Sequence, residues 1–96
     1  MSKARSATEL LEEAHDALRQ MLVSGIRSSA PLVRRCGELA DELKAADVRP
    51  AAEQLRAVAE TEDDGRRLGA VFRALVLVRQ ARLHLAGPAK VDAASH

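Results

Sequence analysis

Apolar positions recur at helical spacing from the first turn of the chain onward. Leu10, Leu11, Ala14, Leu18, Met21 and Leu22 fall on one side of a helix, with charged residues between them. Ser6 and Glu9 stand three apart just ahead of this run, the spacing of a capping box. A first helix is predicted over residues 7–24, broken at Gly25. The next run begins at Ser28 or Ser29 as cap, with Pro31 in the first turn, where its missing N–H costs nothing. Leu32, Cys36, Leu39, Leu43 and Ala46 then follow as a heptad-type seam, giving a second helix over residues 30–46. Arg49 precedes Pro50 and is expected outside helical angles. A third helix is predicted over 50–61, with Leu55, Val58 and Ala59 inward.

Thr61 and Asp64 supply a cap signal, and a fourth helix is predicted over 63–86. Gly87-Pro88 marks its end. Residues 88–96 are small and polar and are expected to form a disordered tail. Four helices with short connections favour antiparallel neighbours. The predicted fold is therefore all-α, an up-and-down four-helix bundle occupying residues 1–87 as a single domain.

The last helix breaks the pattern of the other three. Between Leu68 and Val78 it is apolar nearly all round, apart from a narrow stripe of Arg66, Arg73, Gln80 and His84. Such a helix carries more apolar surface than three shorter neighbours cover. Self-association is the expected outcome, as a homodimer or within a larger complex. The residues expected at that interface are Leu68, Phe72, Leu75, Val78, Arg79 and Arg82. The two arginines share a sector with Leu68, Phe72 and Leu75. They either snorkel to water on their apolar stems or pair with carboxylates across the interface.

Composition narrows the functional classes. A chain of 96 residues buries a small core, and Phe72 is its only aromatic residue. A net charge of +1 argues against a protein that coats nucleic acid through excess cations. The charge is unevenly laid out, however. Residues 47–64 hold two basic and six acidic side chains, whereas residues 65–96 hold six basic and one acidic. This contrast suits attraction between helices 3 and 4, or between unlike faces of two copies.

Candidate chemistry is sparse. Glu12 and His15 have a metal-ligand spacing, but four-helix metal centres need a second such pair. The remaining histidines, His84 and His96, do not supply it, and no cofactor is expected. Cys36 falls on the inner seam of helix 2 and reads as a packing residue rather than a nucleophile. As the only cysteine it suits a reducing, cytoplasmic setting. No secretory signal or membrane span is apparent, and the chain is not expected to be an enzyme.

In residues 39–58, Leu39, Ala40 and Leu43 match the usual apolar positions of the first helix of a helix-turn-helix. The turn, however, is longer than the usual three or four residues and lacks glycine, and acidic residues crowd the would-be reading helix. Any nucleic-acid contact would fall to Arg66, Arg67 and Arg73 with Lys3 and Arg5. The sequence thus points to a small helical interaction module. A nucleic-acid-binding regulator and a metal-binding bundle are the alternatives.

Overall fold

A computed structural model describes residues 6–26 and 29–94, with side chains as far as residue 85. Four helices make up the fold: α1 (Ala7–Ser24), α2 (Ala30–Ala45), α3 (Arg49–Glu60) and α4 (Asp64–Ala94). Each packs against the next, and α4 returns to pack against α1. This closed order, with short connections throughout, is that of an up-and-down bundle.

The ends of α1 follow from local chemistry. The Glu9 N–H donates to Ser6 Oγ, and the Ser6 N–H donates to Glu9 Oε1, both at 3.2 Å. At the other end Gly25 takes φ +94, a value that strains any residue with a Cβ, and its N–H donates to the Met21 carbonyl. Ser29 precedes α2 but makes no side-chain cap. Its fully buried hydroxyl turns back to donate to the Gly25 carbonyl, closing the first connection instead. Ser28, the other candidate cap, lies outside the described residues.

The second connection has the three residues that the predicted helix bounds left for it, displaced by one position toward the N-terminus. Ala46, Asp47 and Val48 alone link α2 to α3. Asp47 adopts φ +68 and fills the left-handed position that glycine usually takes. The Asp47 N–H donates to the Lys44 carbonyl and the Val48 N–H to the Leu43 carbonyl, which satisfies the last open carbonyls of α2. Val48 also packs against the core. Arg49, expected outside the helix, is the first residue of α3, so the departure from helical angles falls on Val48.

The cap of α4 also differs from expectation. Thr61 ends α3, its hydroxyl donating to the Ala57 carbonyl, and it does not cap the next helix. Asp63 does that, accepting from the Arg66 N–H at 2.9 Å. Helix α4 then runs past the expected stop at Gly87-Pro88 to Ala94, so residues 88–94 are helical and the predicted irregular tail is corrected there. Pro88 forfeits one backbone hydrogen bond, but Ala86, Ala89, Lys90, Ala93 and Ala94 around it are strong helix formers. Residues 95–96, including His96, lie outside the described residues.

The core is built from small and medium side chains. Leu10, Leu11, Leu18 and Met21 from α1 meet Cys36, Leu39 and Leu43 from α2, all within a few per cent of full burial. Helix α3 contributes Ala51, Ala52, Leu55 and Val58, and α4 contributes Ala70, Val71, Ala74 and Val78. No buried side-chain polar atom among the described residues lacks a hydrogen-bond partner.

Polar ties hold the helices together at the rim. Arg35 donates to Glu13 across α1 and α2 at 2.5 Å and to Glu38 on its own helix at 2.8 Å. These carboxylates hold its proton more firmly than usual. Arg56 pairs with Asp41, joining α3 to α2. Arg67, with its side chain 15% exposed, donates to the carbonyls of Val58 and Thr61. A cation from α4 thereby satisfies carbonyls at the C-terminal end of α3.

Candidate interaction surface

Helix lengths explain why α4 cannot be fully covered. Its 31 residues span about 46 Å, whereas the 18, 16 and 12 residues of α1, α2 and α3 span roughly 27, 24 and 18 Å. The last fully buried residue of α4 among those described is Val78. Beyond it, Leu83 and Leu85 are 61% and 47% exposed.

The inward face of α4 consists of Ala70, Val71, Ala74 and Val78, mostly small residues that let neighbouring helices approach closely. The larger side chains turn outward: Leu68 at 38% exposure, Phe72 at 53% and Val76 at 54%. Taking roughly 100° per residue, Leu68, Phe72, Leu75, Val76, Arg79 and Leu83 occupy one sector about 100° wide. Arg66, Arg73, Gln80 and His84 form a separate exposed polar stripe, as the sequence indicated.

Five of the six residues expected at the interface lie on this surface or at its edge. Leu68, Phe72 and Arg79 are exposed, and Arg82 is half-buried against α1. Leu75 is half-buried and packs on the core, so it lies at the margin. Val78 is a correction: it is fully buried, because it shares the inward sector with Val71 and Ala74. Val76 and Leu83 belong to the exposed stripe and were missed. Helical spacing from Phe72, by four and eleven residues, places both there.

An open groove of about 310 Å³ runs beside this stripe between α1 and α4, lined by Thr8, Glu12, Arg79, Arg82 and Leu83. Neither arginine forms an ion pair among the described residues. His15 lies close by on α1 and is half-buried. Burial, then the charges of Arg82, Arg19 and Arg79, hold its pKa below the ordinary 6.5, with Asp16 opposing. Folding therefore favours neutral His15. Its contribution to stability is present above pH 6.5 and is lost as the pH falls below that value. Thermal melts across this range will show a downward slope that His15→Gln flattens.

The remaining candidate chemistry can be placed against this geometry. Among the described residues no three His, Cys, Asp or Glu side chains group to hold a metal. Arg79 and Arg82 beside Glu12 and His15 further oppose a cation. The Cys36 thiol is fully buried, and burial pushes its pKa up to about 11, away from a nucleophile's range. On α3, Arg49 and Arg56 are paired with Asp47 and Asp41. The helix-turn-helix reading gains a three-residue turn, but its second helix still offers Glu53 and Glu60 to solvent. Of the other basic candidates, Arg67 is engaged with α3, Arg66 and Arg73 are exposed, and Lys3 and Arg5 lie outside the described residues. No ion pair joins α3 to α4 among the described residues, so the charge contrast between them acts without direct pairing.

The chain is thus an up-and-down four-helix bundle with one face of its longest helix uncovered. Comparison with protein-family models, with curated proteins and with solved structures returned no match. Among the described residues no helix is long and apolar enough to cross a membrane.

Proposed function

We propose that this protein is a small helical interaction module that works as a homodimer or as a subunit of a larger complex, docking through the outward face of α4. One observation carries the reading: Leu68, Phe72, Val76 and Leu83 are large apolar side chains left exposed in one sector of a single helix. Scattered exposed apolar residues are ordinary, but a contiguous stripe of them marks a docking surface. Coverage by a second protein removes this apolar area from water, the main favourable term in association. A cytoplasmic setting is part of the proposal, supported by a single cysteine that is buried and unpaired. No catalytic role is assigned.

Sedimentation velocity of the full chain at micromolar concentration tests the reading. A mass of two chains is expected. A strictly monomeric species that also forms no stoichiometric complex overturns it.

A further inference from the structure

Between Gly65 and Leu85, α4 carries Arg66, Arg67, Arg73, Arg79 and Arg82 and no acidic residue. Arg67 is engaged with α3, and Arg35, Arg49 and Arg56 elsewhere in the bundle each pair with a carboxylate. The other four arginines of α4 form no ion pair among the described residues, and they stand on both sides of the apolar stripe. Arg79 and Arg82 share a groove with Thr8 and Glu12 of α1, whereas Arg66 and Arg73 share one with Ala57 and Thr61 at the end of α3. We propose that this face receives an acidic amphipathic helix from another protein, apolar along its contact side and bearing carboxylates on both flanks. The proposal rests on the interaction-module reading above and adds the chemistry of the partner.

The dimensions of the face suit a single helix. Leu68 to Leu83 spans about 22 Å, roughly four turns, and the apolar sector matches the apolar side of an amphipathic helix. Carboxylates along the edges of that helix meet guanidiniums, whose planar fork takes them in pairs of hydrogen bonds. Gly69 is a second, independent sign. It lines the groove that holds Arg66 and Arg73, and beyond its own turns of helix no atom lies within 4 Å of the place a Cβ would take. Glycine weakens a helix interior, and packing within the subunit does not call for one here. A partner backbone seated close against α4 does.

Broad anionic surfaces fit the charge layout less well. Glu9, Glu12 and Asp16 are exposed on α1, and Glu60, Glu62 and Asp63 are exposed where α3 ends. A bilayer or a nucleic-acid backbone brings its negative charge against these acids as well as against the arginines. A helix about 10 Å across is narrow enough to lie over the stripe between them. Two copies of α4 laid together cover the apolar area but set arginine against arginine. The acidic helix satisfies both requirements, so it displaces a second copy from the face.

Fluorescence anisotropy of two labelled synthetic peptides, titrated with the full chain, tests the proposal. Each peptide has about 18 residues, enough to cover the stripe as a helix, with leucine at alternating third and fourth positions. One carries glutamate on both flanks of the leucine row, and the other carries lysine there. The glutamate peptide is expected to bind about tenfold more tightly or better, the factor that four exposed ion pairs together contribute. Arg73 and Arg79 are exposed, and the double variant Arg73→Glu with Arg79→Glu is expected to reverse the preference. A reversal of that kind does not arise from misfolding. Equal binding of the two peptides by the native chain overturns the proposal, as does tighter binding to phosphatidylglycerol vesicles or to a DNA duplex. A dimer by sedimentation that saturating glutamate peptide leaves intact also overturns it, while the interaction-module reading stands. A chain that stays monomeric and forms no complex with either peptide removes both.

Discussion

Phe72→Glu is expected to abolish self-association while leaving the bundle folded. The ring is 53% exposed, so the folded subunit loses little when it goes, and glutamate is a good helix former. In a symmetric contact the change is made twice. Each copy loses the burial of about half of an aromatic side chain, worth about 1 kcal/mol, and each gains a carboxylate whose desolvation costs about 1 kcal/mol more. A total near 4 kcal/mol corresponds to roughly a thousandfold rise in the dissociation constant. Sedimentation at micromolar concentration reads the loss directly. A melting temperature within a few degrees of the native value shows that the fold persists. Leu75 is a less clean target, because it also packs on the core.

Leu55→Ala is expected to have the opposite signature. Helix α3 is the shortest of the four, and its buried face holds Ala51, Ala52, Leu55 and Val58. Leu55 is the bulkiest of these and is fully buried. Truncating it leaves a cavity under a helix otherwise anchored by small side chains. A cost of about 3 kcal/mol is typical of such a change. For a chain of this size that lowers the melting temperature by roughly 15 °C. Circular dichroism during heating measures the shift. Below the transition the variant should still sediment with the mass of the native protein, since the α4 stripe is untouched.

Much of the fold could be read from local chemistry alone. The bounds of α1 follow from the Ser6 and Glu9 capping box and from Gly25, and the seam from Cys36 to Leu43 is the buried face of α2. These features act over one or two turns, where neighbouring residues decide the outcome. Failures arose where the deciding partner was remote or where two local signals competed. Asp63 and Thr61 both carry cap chemistry, and the Thr61 hydroxyl is already committed to the Ala57 carbonyl. Asp47 takes a left-handed conformation that glycine usually marks, so no local signal announced it.

The face of α4 was the harder case. Periodicity identifies an inward side only when a polar side opposes it, and α4 is apolar nearly all round. Bulk was then a misleading guide. Ala70 and Ala74 are buried because close helix approach requires small residues, whereas Phe72 is displaced outward. The two-sided character of α4 was legible, but which apolar side faced inward was not, and Val78 was placed on the wrong one for that reason.

The corner between α3 and α4 has a bearing on ionic strength. Arg67 holds that corner through hydrogen bonds to backbone carbonyls at a site that is mostly shielded from water, whereas Arg35–Glu13 and Arg56–Asp41 lie nearer the surface. Mobile ions screen exposed pairs far more than shielded ones. In brine the rim loses much of its electrostatic glue while the angle between the last two helices persists, so the outward stripe keeps its aim.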